Sequence, residues 1–371
     1  MFQRIKQYFL STDYWMLFFA VALSVTGITA IYSAGYDPST ETVQGYYMRQ
    51  MVWLSMGLVM FFLVSFINYK IIIRFALFIY GVGIVFLLLV LISGHIGMGA
   101  QRWLGVGPLK LQPSELFKII WVVTLARLFM DFDDKKFNFI RIIKKSFLLI
   151  PPFLLVFLQP DLGTSMTYLM VWGCIILILG ITRKTFVVIL LCMAVIGPVL
   201  WMHMHDYQKK RVITFINPEH DPFGAGYHII QSKIGVGSGG VDGKGYLKGT
   251  QSHLRFIPER HTDFIYSVIN EEFGLIGGAG IILLFAILIL RIFQTATRSK
   301  IASAKILCTA VACYIFFQFV INSYMTVGMM PVVGIPMPFV SYGGSSLMSF
   351  FIMLGLVNSV YIRCFNRMEE L

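Results

Sequence analysis

Residues 256–277 read FIPERHTDFIYSVINEEFGLIG, and the polar half of that stretch leads straight into an apolar segment that continues through 290. A charged side chain at the centre of a membrane-spanning helix costs about 2.5–3.5 kcal/mol on an insertion scale, so charge gathered at the mouth of such a segment needs a reason. An interfacial helix start requires a single capping side chain, which Thr262 or Asp263 can supply. Glu259, Arg260 and His261 exceed that requirement. Beyond Asp263, the residues Ser267, Asn270 and Glu271 recur at helical spacing and draw a polar stripe along an apolar helix. Such a stripe faces a cavity or partner helices. The stretch therefore predicts a membrane helix that begins at Asp263 and a functional cluster at its mouth.

The remainder of the chain fits a membrane setting. Hydrophobic residues make up 57% and charged residues 13% of the 371 residues, and the mean hydropathy is +0.76. This lies far outside the soluble balance. A helix crossing about 30 Å of hydrocarbon needs roughly 20 apolar residues. Candidate segments fall at 14–34, 49–68, 74–94, 114–130, 145–159, 162–181, 186–203, 263–290, 306–328 and 341–362. The prediction is an all-α polytopic membrane protein of about ten transmembrane helices, since a barrel would show short alternating strands instead. The basic start resembles a signal peptide, but its long apolar stretch and the many that follow read as a retained first helix. The fifth segment is short and carries Pro151 and Pro152; losing it would invert everything downstream. Residues 1–371 are read as one membrane domain.

With ten crossings, Arg4, Lys6, Lys70, Arg74, Lys135, Lys136, Arg141, Lys144, Lys145, Arg183, Lys184, Arg291, Arg298, Lys300, Lys305, Arg363 and Arg367 fall on one side. That side is cytoplasmic by the positive-inside rule, and both termini lie there. The net charge of +12 is largely this inner-face excess and gives no reason to invoke nucleic acid. The segment 204–262 becomes a large extracytoplasmic loop before helix 8, holding eight Lys or Arg, many glycines and apolar anchors. Amphipathic pieces such as Tyr227 to Ile234 suggest that it folds back onto the membrane surface. Cys174, Cys192, Cys308, Cys313 and Cys364 include no C-x-x-C pair, so neither a disulfide scaffold nor a zinc knuckle is implied. The absence of an evident internal repeat disfavours a transporter built from two inverted halves.

Three further sets of polar residues stand beside or inside apolar segments. In QRWLGVGPLKLQPSELFKII, Arg102 and Lys110 precede a helix on which Glu115 and Lys118 share a face; an intramembrane ion pair and a substrate site are both compatible readings. In QPDLGTSM, Asp161 can cap the next helix, with Thr164 and Ser165 in its first turn. In GIPMPFVSYGGSSLMSF, Ser341 opens a run of small residues for which close helix packing is the default explanation. GVGSGGVDGKG resembles a phosphate-binding loop, yet Ser238 stands at the required first Gly and Gly245 at the Ser/Thr position. His203 and His205 have no third metal ligand at convincing spacing.

PSELFK, QPDLGTS, GYHIIQSKIGVGSGG, GTQSHLRFIPERHTDFIYSVINEEFGLIG and PFVSYGGSS, in this order among ten spans, resemble the SEDS family of cell-wall polymerases. QSKI and PERHTDF resemble its elongation branch more than its division branch. The resemblance covers essentially the whole chain. It implies a peptidoglycan glycosyltransferase in the cytoplasmic membrane, polymerising lipid II on the extracytoplasmic face. It also implies work with a class B penicillin-binding protein and other elongation-complex proteins.

The family's catalytic aspartate falls on Asp263, and its other important positions match Arg102, Glu115, Lys118 and Asp161 well and Arg49 less firmly. Glu259, Arg260, His261 and Ser341 are taken as substrate-binding. Arg102, Lys118 and basic loop residues such as Lys233 are expected to meet the diphosphate, with a divalent cation (Mg or Mn) suggested by diphosphate chemistry and by the family. Two rival readings from other classes stay open. A lipid II flippase would carry the headgroup across the membrane and need access from both faces, and a noncatalytic scaffold would only dock the penicillin-binding protein.

Overall fold

The computed structural model describes residues 2–97, 100–103, 112–131, 139–180, 187, 194, 197–198, 201–204, 206–218, 224–254, 256–257 and 259–365. The predicted seventh segment, 186–203, lies mostly outside these residues, as do Lys110, Lys135, Lys136, Arg183, Lys184, Cys192, His205 and Arg367. The chain opens with α1 (Phe2–Leu10), α2 (Tyr14–Gly35), a two-residue hairpin β1 (Tyr36–Asp37) and β2 (Thr42–Val43), α3 (Tyr46–Phe66), α4 (Tyr69–Arg74) and α5 (Ala76–Ser93). A second hairpin, β3 (His95–Gly97) and β4 (Ala100–Trp103), precedes α6 (Pro113–Leu128), α7 (Phe139–Ser146), α8 (Ile150–Leu158) and α9 (Leu162–Ile178). The long loop holds α10 (Asp206–Ile216), α11 (Ala225–Ser238) and α12 (Thr250–His253). The last three helices are α13 (Ile265–Arg298), α14 (Ala302–Thr326) and α15 (Gly344–Phe365).

Among the described residues five helices, α2, α3, α13, α14 and α15, are long and apolar enough to cross a membrane, and α5 and α9 are shorter apolar helices. The fold is thus an all-α polytopic membrane protein, with strand confined among the described residues to the two small hairpins. The doubtful fifth segment is helical. Pro151 and Pro152 sit in the first turn of α8, where a missing N–H costs no intrahelical bond.

The apolar stretches of α14 and α15 are 78% buried whereas that of α3 is 22% buried, which puts α14 and α15 at the centre and α3 at the lipid-facing rim. α3 nonetheless packs along α15. Small residues permit that approach: a side chain on Gly355 would meet the Phe61 backbone. α13 lies between α2 and α14, and α14 also contacts α6 and α9.

α13 is interrupted at Gly274, whose φ of 63° and ψ of −160° suit glycine alone. The interruption orphans backbone groups, and the GVGSGGVDGKG loop supplies their partners. Lys244 and Gly245 donate their amides to the carbonyls of Glu271 and Glu272 at 3.0 and 2.9 Å, while the amides of Leu275 and Ile276 donate to Gly240 and Val241 at 2.9 and 3.2 Å. The glycine run that resembles a phosphate loop is therefore a plug for a broken membrane helix, as non-helical backbone at such a place demands.

Within the 204–262 segment, α11 packs into the bundle. Ser232 of α11 donates to the Thr326 carbonyl at 2.7 Å, and Ser267 donates to the Ser232 carbonyl at 3.0 Å. α11 is wedged against α13 and α14 because small residues on its inner face allow close contact.

Candidate active site

The PERHTDF turn is pinned from three directions. Glu259 adopts φ 48°, and its carbonyl accepts from the amides of Thr262 and Phe264 at 3.1 and 3.3 Å. Thr262 Oγ1 also donates to Glu259 Oε2 at 3.0 Å. Arg260 is buried and donates through Nε to the Ala34 carbonyl in the last turn of α2. His261 stacks on Tyr46 of α3, with centroids 4.4 Å apart and planes 12° apart. Burial lowers its pKa, an effect that Glu259 opposes and Arg260 reinforces. Ser341 Oγ donates to the Thr262 carbonyl at 2.6 Å and accepts from the Met337 amide at 2.8 Å. Tyr342 donates its amide to the His261 carbonyl at 2.9 Å. Gln50 completes the clamp by donating to the Ser341 carbonyl at 3.1 Å and accepting from the Gly343 amide at 3.2 Å.

This scaffold sets Asp263. α13 begins after it, at Ile265, with Phe264 at the cap position. Asn322 of α14 donates both to the Asp263 carbonyl at 2.9 Å and to the Ile335 carbonyl at 2.7 Å. Between those anchors lies Gly334, φ +72°, whose missing Cβ would stand 3.4 Å from Asp263 Oδ2 and 3.9 Å from Arg211 Nη1. The sequence reading passes over Arg211 and Asn322. The basic run KKR at 209–211 is the available signal for the first, and nothing local distinguishes the second from a packing residue.

A second polar group sits at the starts of α6 and α9. Asp161 Oδ1 accepts from the Thr164 amide at 3.2 Å and so caps α9, and Gln112 Nε2 lies 3.4 Å from Asp161 Oδ2 and 3.1 Å from Ser114 Oγ. Glu115 and Lys118 form an ion pair of 2.6 Å, both side chains sealed from solvent, with Phe350 5.8 Å from the ammonium. Gly163 joins the two groups: a Cβ there would meet Ile335 and the Val333 carbonyl, the residues flanking Gly334. Lys233 is exposed, its stem laid against Gly328, and Arg49 is exposed on α3. The side chains of Arg102 and Lys110 lie outside the described residues.

The polar stripe of α13 faces protein. Glu271 accepts from Lys244 Nζ at 2.7 Å and from the amides of Gln251 and Ser252 at 2.8 and 3.1 Å, which makes it the anion at the start of α12. Glu272, missed in the sequence reading, accepts from Ser33 Oγ and lies 3.5 Å from His253 Nε2. These carboxylates hold the loop to the bundle. Among the described residues no three His, Cys, Asp or Glu side chains converge on a metal-binding point.

Fold and site together define a polytopic helical membrane protein whose polar centre is built where its longest loop meets α13 and α14. The chain belongs to the SEDS family: it matches the cell cycle protein family of FtsW, RodA and SpoVE over residues 14–364. It is 39% identical over 351 residues to the peptidoglycan glycosyltransferase MrdB of Escherichia coli, covering 93% of this chain and 92% of that protein. It is 31% identical over 426 residues to the peptidoglycan glycosyltransferase RodA of Treponema pallidum, covering 95% and 98%. Among solved structures it is similar to a chain described in the structural coordination of polymerization and crosslinking by a peptidoglycan synthase complex, with TM-score 0.80, 30% identity and coverage of 95% and 98%. Rod shape determining protein RodA of Thermus thermophilus matches with TM-score 0.71, 28% identity and the same coverage.

Proposed function

We propose that this chain is a peptidoglycan glycosyltransferase that polymerises lipid II into glycan strands during cell elongation, with Asp263 as its general base. The observation that carries this reading is the split treatment of Asp263: its carbonyl is tied to α14 through Asn322, while its carboxylate borders the opening over Gly334. The 4-hydroxyl oxygen of an acceptor GlcNAc attacks the anomeric carbon of the donor. A new C–O bond forms with inversion and the C–O bond to the diphosphate breaks. The electron pair leaves on undecaprenyl diphosphate, and the hydroxyl proton passes to Asp263. A positioned base contributes roughly 10²–10⁴ in rate.

The names of the Escherichia coli and Treponema pallidum relatives support this activity. The likeness to a chain of a peptidoglycan synthase complex supports a class B penicillin-binding protein as partner. The one-sided distribution of Lys and Arg supports cytoplasmic termini and a site on the extracytoplasmic face. Lys233 is already exposed to an incoming diphosphate, whereas Lys118 is buried against Glu115. Fluorescent lipid II supplied to the purified protein, with and without its partner, tests the reading. Glycan polymer supports it; translocation without polymer supports a flippase, and neither supports a scaffold.

A further inference from the structure

We infer that Arg211 forms the anion-binding wall of the Asp263 site and contacts the diphosphate of the lipid-linked donor, an inference that rests on the glycosyltransferase reading. Arg211 comes from α10, an element that contributes no other residue to the site described above. Its Nη1 and Asp263 Oδ2 stand 3.9 and 3.4 Å from the point where a Cβ would project from Gly334. Among the described residues no other atom beyond the chain neighbours comes within 4 Å of that point. A carboxylate and a guanidinium thus both border the point that a side chain at position 334 would occupy.

An inverting transfer to a hydroxyl asks for this pairing. The carboxylate accepts the proton of the attacking oxygen, and the guanidinium stabilises the negative charge that collects on the departing diphosphate. A guanidinium suits phosphate oxygens because it presents parallel N–H donors and stays charged at every working pH. Arg211 is half-buried, where such bonds are stronger than in open water. Lys209 and Lys210, next along α10, add positive potential that draws an anionic headgroup toward the opening. The competing role is that of a partner that only lowers the pKa of Asp263.

Binding of undecaprenyl diphosphate and of undecaprenyl phosphate to the purified complex separates the two roles, read beside lipid II polymerisation. Arg211→Gln should weaken diphosphate binding about ten- to a hundred-fold, the range of a lost charge-assisted hydrogen bond, and affect the monophosphate less. Arg211→Lys keeps the charge and should lose only part of that affinity, which preserves the test if the Gln variant folds poorly. Asp263→Asn should keep diphosphate affinity while strand synthesis disappears. Unchanged diphosphate affinity in both Arg211 variants, with the acid limb of the pH–rate profile displaced upward, would overturn the inference and leave Arg211 a positioning residue. Strand synthesis by Asp263→Asn would count instead against the base assignment on which the inference rests.

Discussion

Asn322 holds Asp263 and Ile335 together, its one amide nitrogen donating to both backbone carbonyls, at 2.9 and 2.7 Å. A helix of the central bundle thereby fixes the distance between the carboxylate-bearing turn and the segment carrying Gly334. Replacing Asn322 by Asp sets an acceptor against two acceptors, and replacing it by Ala leaves both carbonyls without this donor. Each is expected to cost about 1–3 kcal/mol of stability, read as a lowered melting temperature in detergent. Strand synthesis should fall further than the lost folded fraction explains, because misplacement of about 1 Å can cost on the order of 10² in rate.

Gly334→Ala tests the opening itself. The new methyl would sit in ordinary van der Waals contact with Asp263 Oδ2 at 3.4 Å, so the fold should survive at the roughly 1–2 kcal/mol that a positive φ demands of an L-residue. The acceptor hydroxyl would meet the methyl. Polymerisation should drop at least tenfold, on the order of a lost hydrogen bond to a charged group, and Gly334→Val should be worse. Steady-state polymerisation rates of melting-matched samples check this.

The clamp at His253 predicts a pH dependence of stability. Its imidazole lies beside Glu272 at 3.5 Å and faces the Tyr36 carbonyl at 3.3 Å. The neighbouring Glu272 carboxylate is the largest cause raising its pKa above 6.5, against an opposing effect of burial. The folded state therefore holds the proton more tightly than the unfolded state. The resulting stability is full below about 6.5, the unfolded value, and is lost as pH rises through the raised folded value. Melting temperature measured across that range should decline with pH in the natural protein and lose that component in His253→Gln.

The Glu115–Lys118 pair separates a structural from a functional role. Removing Lys118 alone leaves a buried carboxylate with its charge uncompensated, which costs about 3–5 kcal/mol unless Glu115 takes up a proton. The double change Glu115→Gln with Lys118→Met replaces the pair by groups that tolerate burial, and stability should return. Polymerisation should not, if Lys118 serves the diphosphate. Normal synthesis by the double variant would make the pair a structural one.

Apolar run length made the helical class legible, because hydropathy and span length follow from transfer into hydrocarbon. PERHTDF announced its importance through charges that no cap requires. The division of labour inside it was not legible: Arg260, His261 and Ser341 bond to or stack on distant elements that only the fold brings near. Glu271 and Asn270 read as a stripe facing either a cavity or partner helices, and only the fold decides between them: Glu271 is consumed at the start of α12 and Asn270 by the Tyr266 carbonyl at 2.7 Å. Arg211 and Gly334 meet across more than a hundred residues of chain, a pairing that no local spacing encodes. The glycine run at 235–245 misleads for a related reason, since its partners at Gly274 are set by tertiary packing.

Strand synthesis by a purified complex carrying Asp263→Asn tests the central claim most directly, with the transpeptidase partner intact and any other glycosyltransferase excluded. Asn matches Asp in size and is nearly its equal at a helix start, but it cannot take the proton of the attacking hydroxyl. The account predicts that polymer falls by at least 10², within the usual contribution of a positioned base, while expression, partner binding and lipid II binding persist. Polymer made by the Asn variant at close to the natural rate would contradict it.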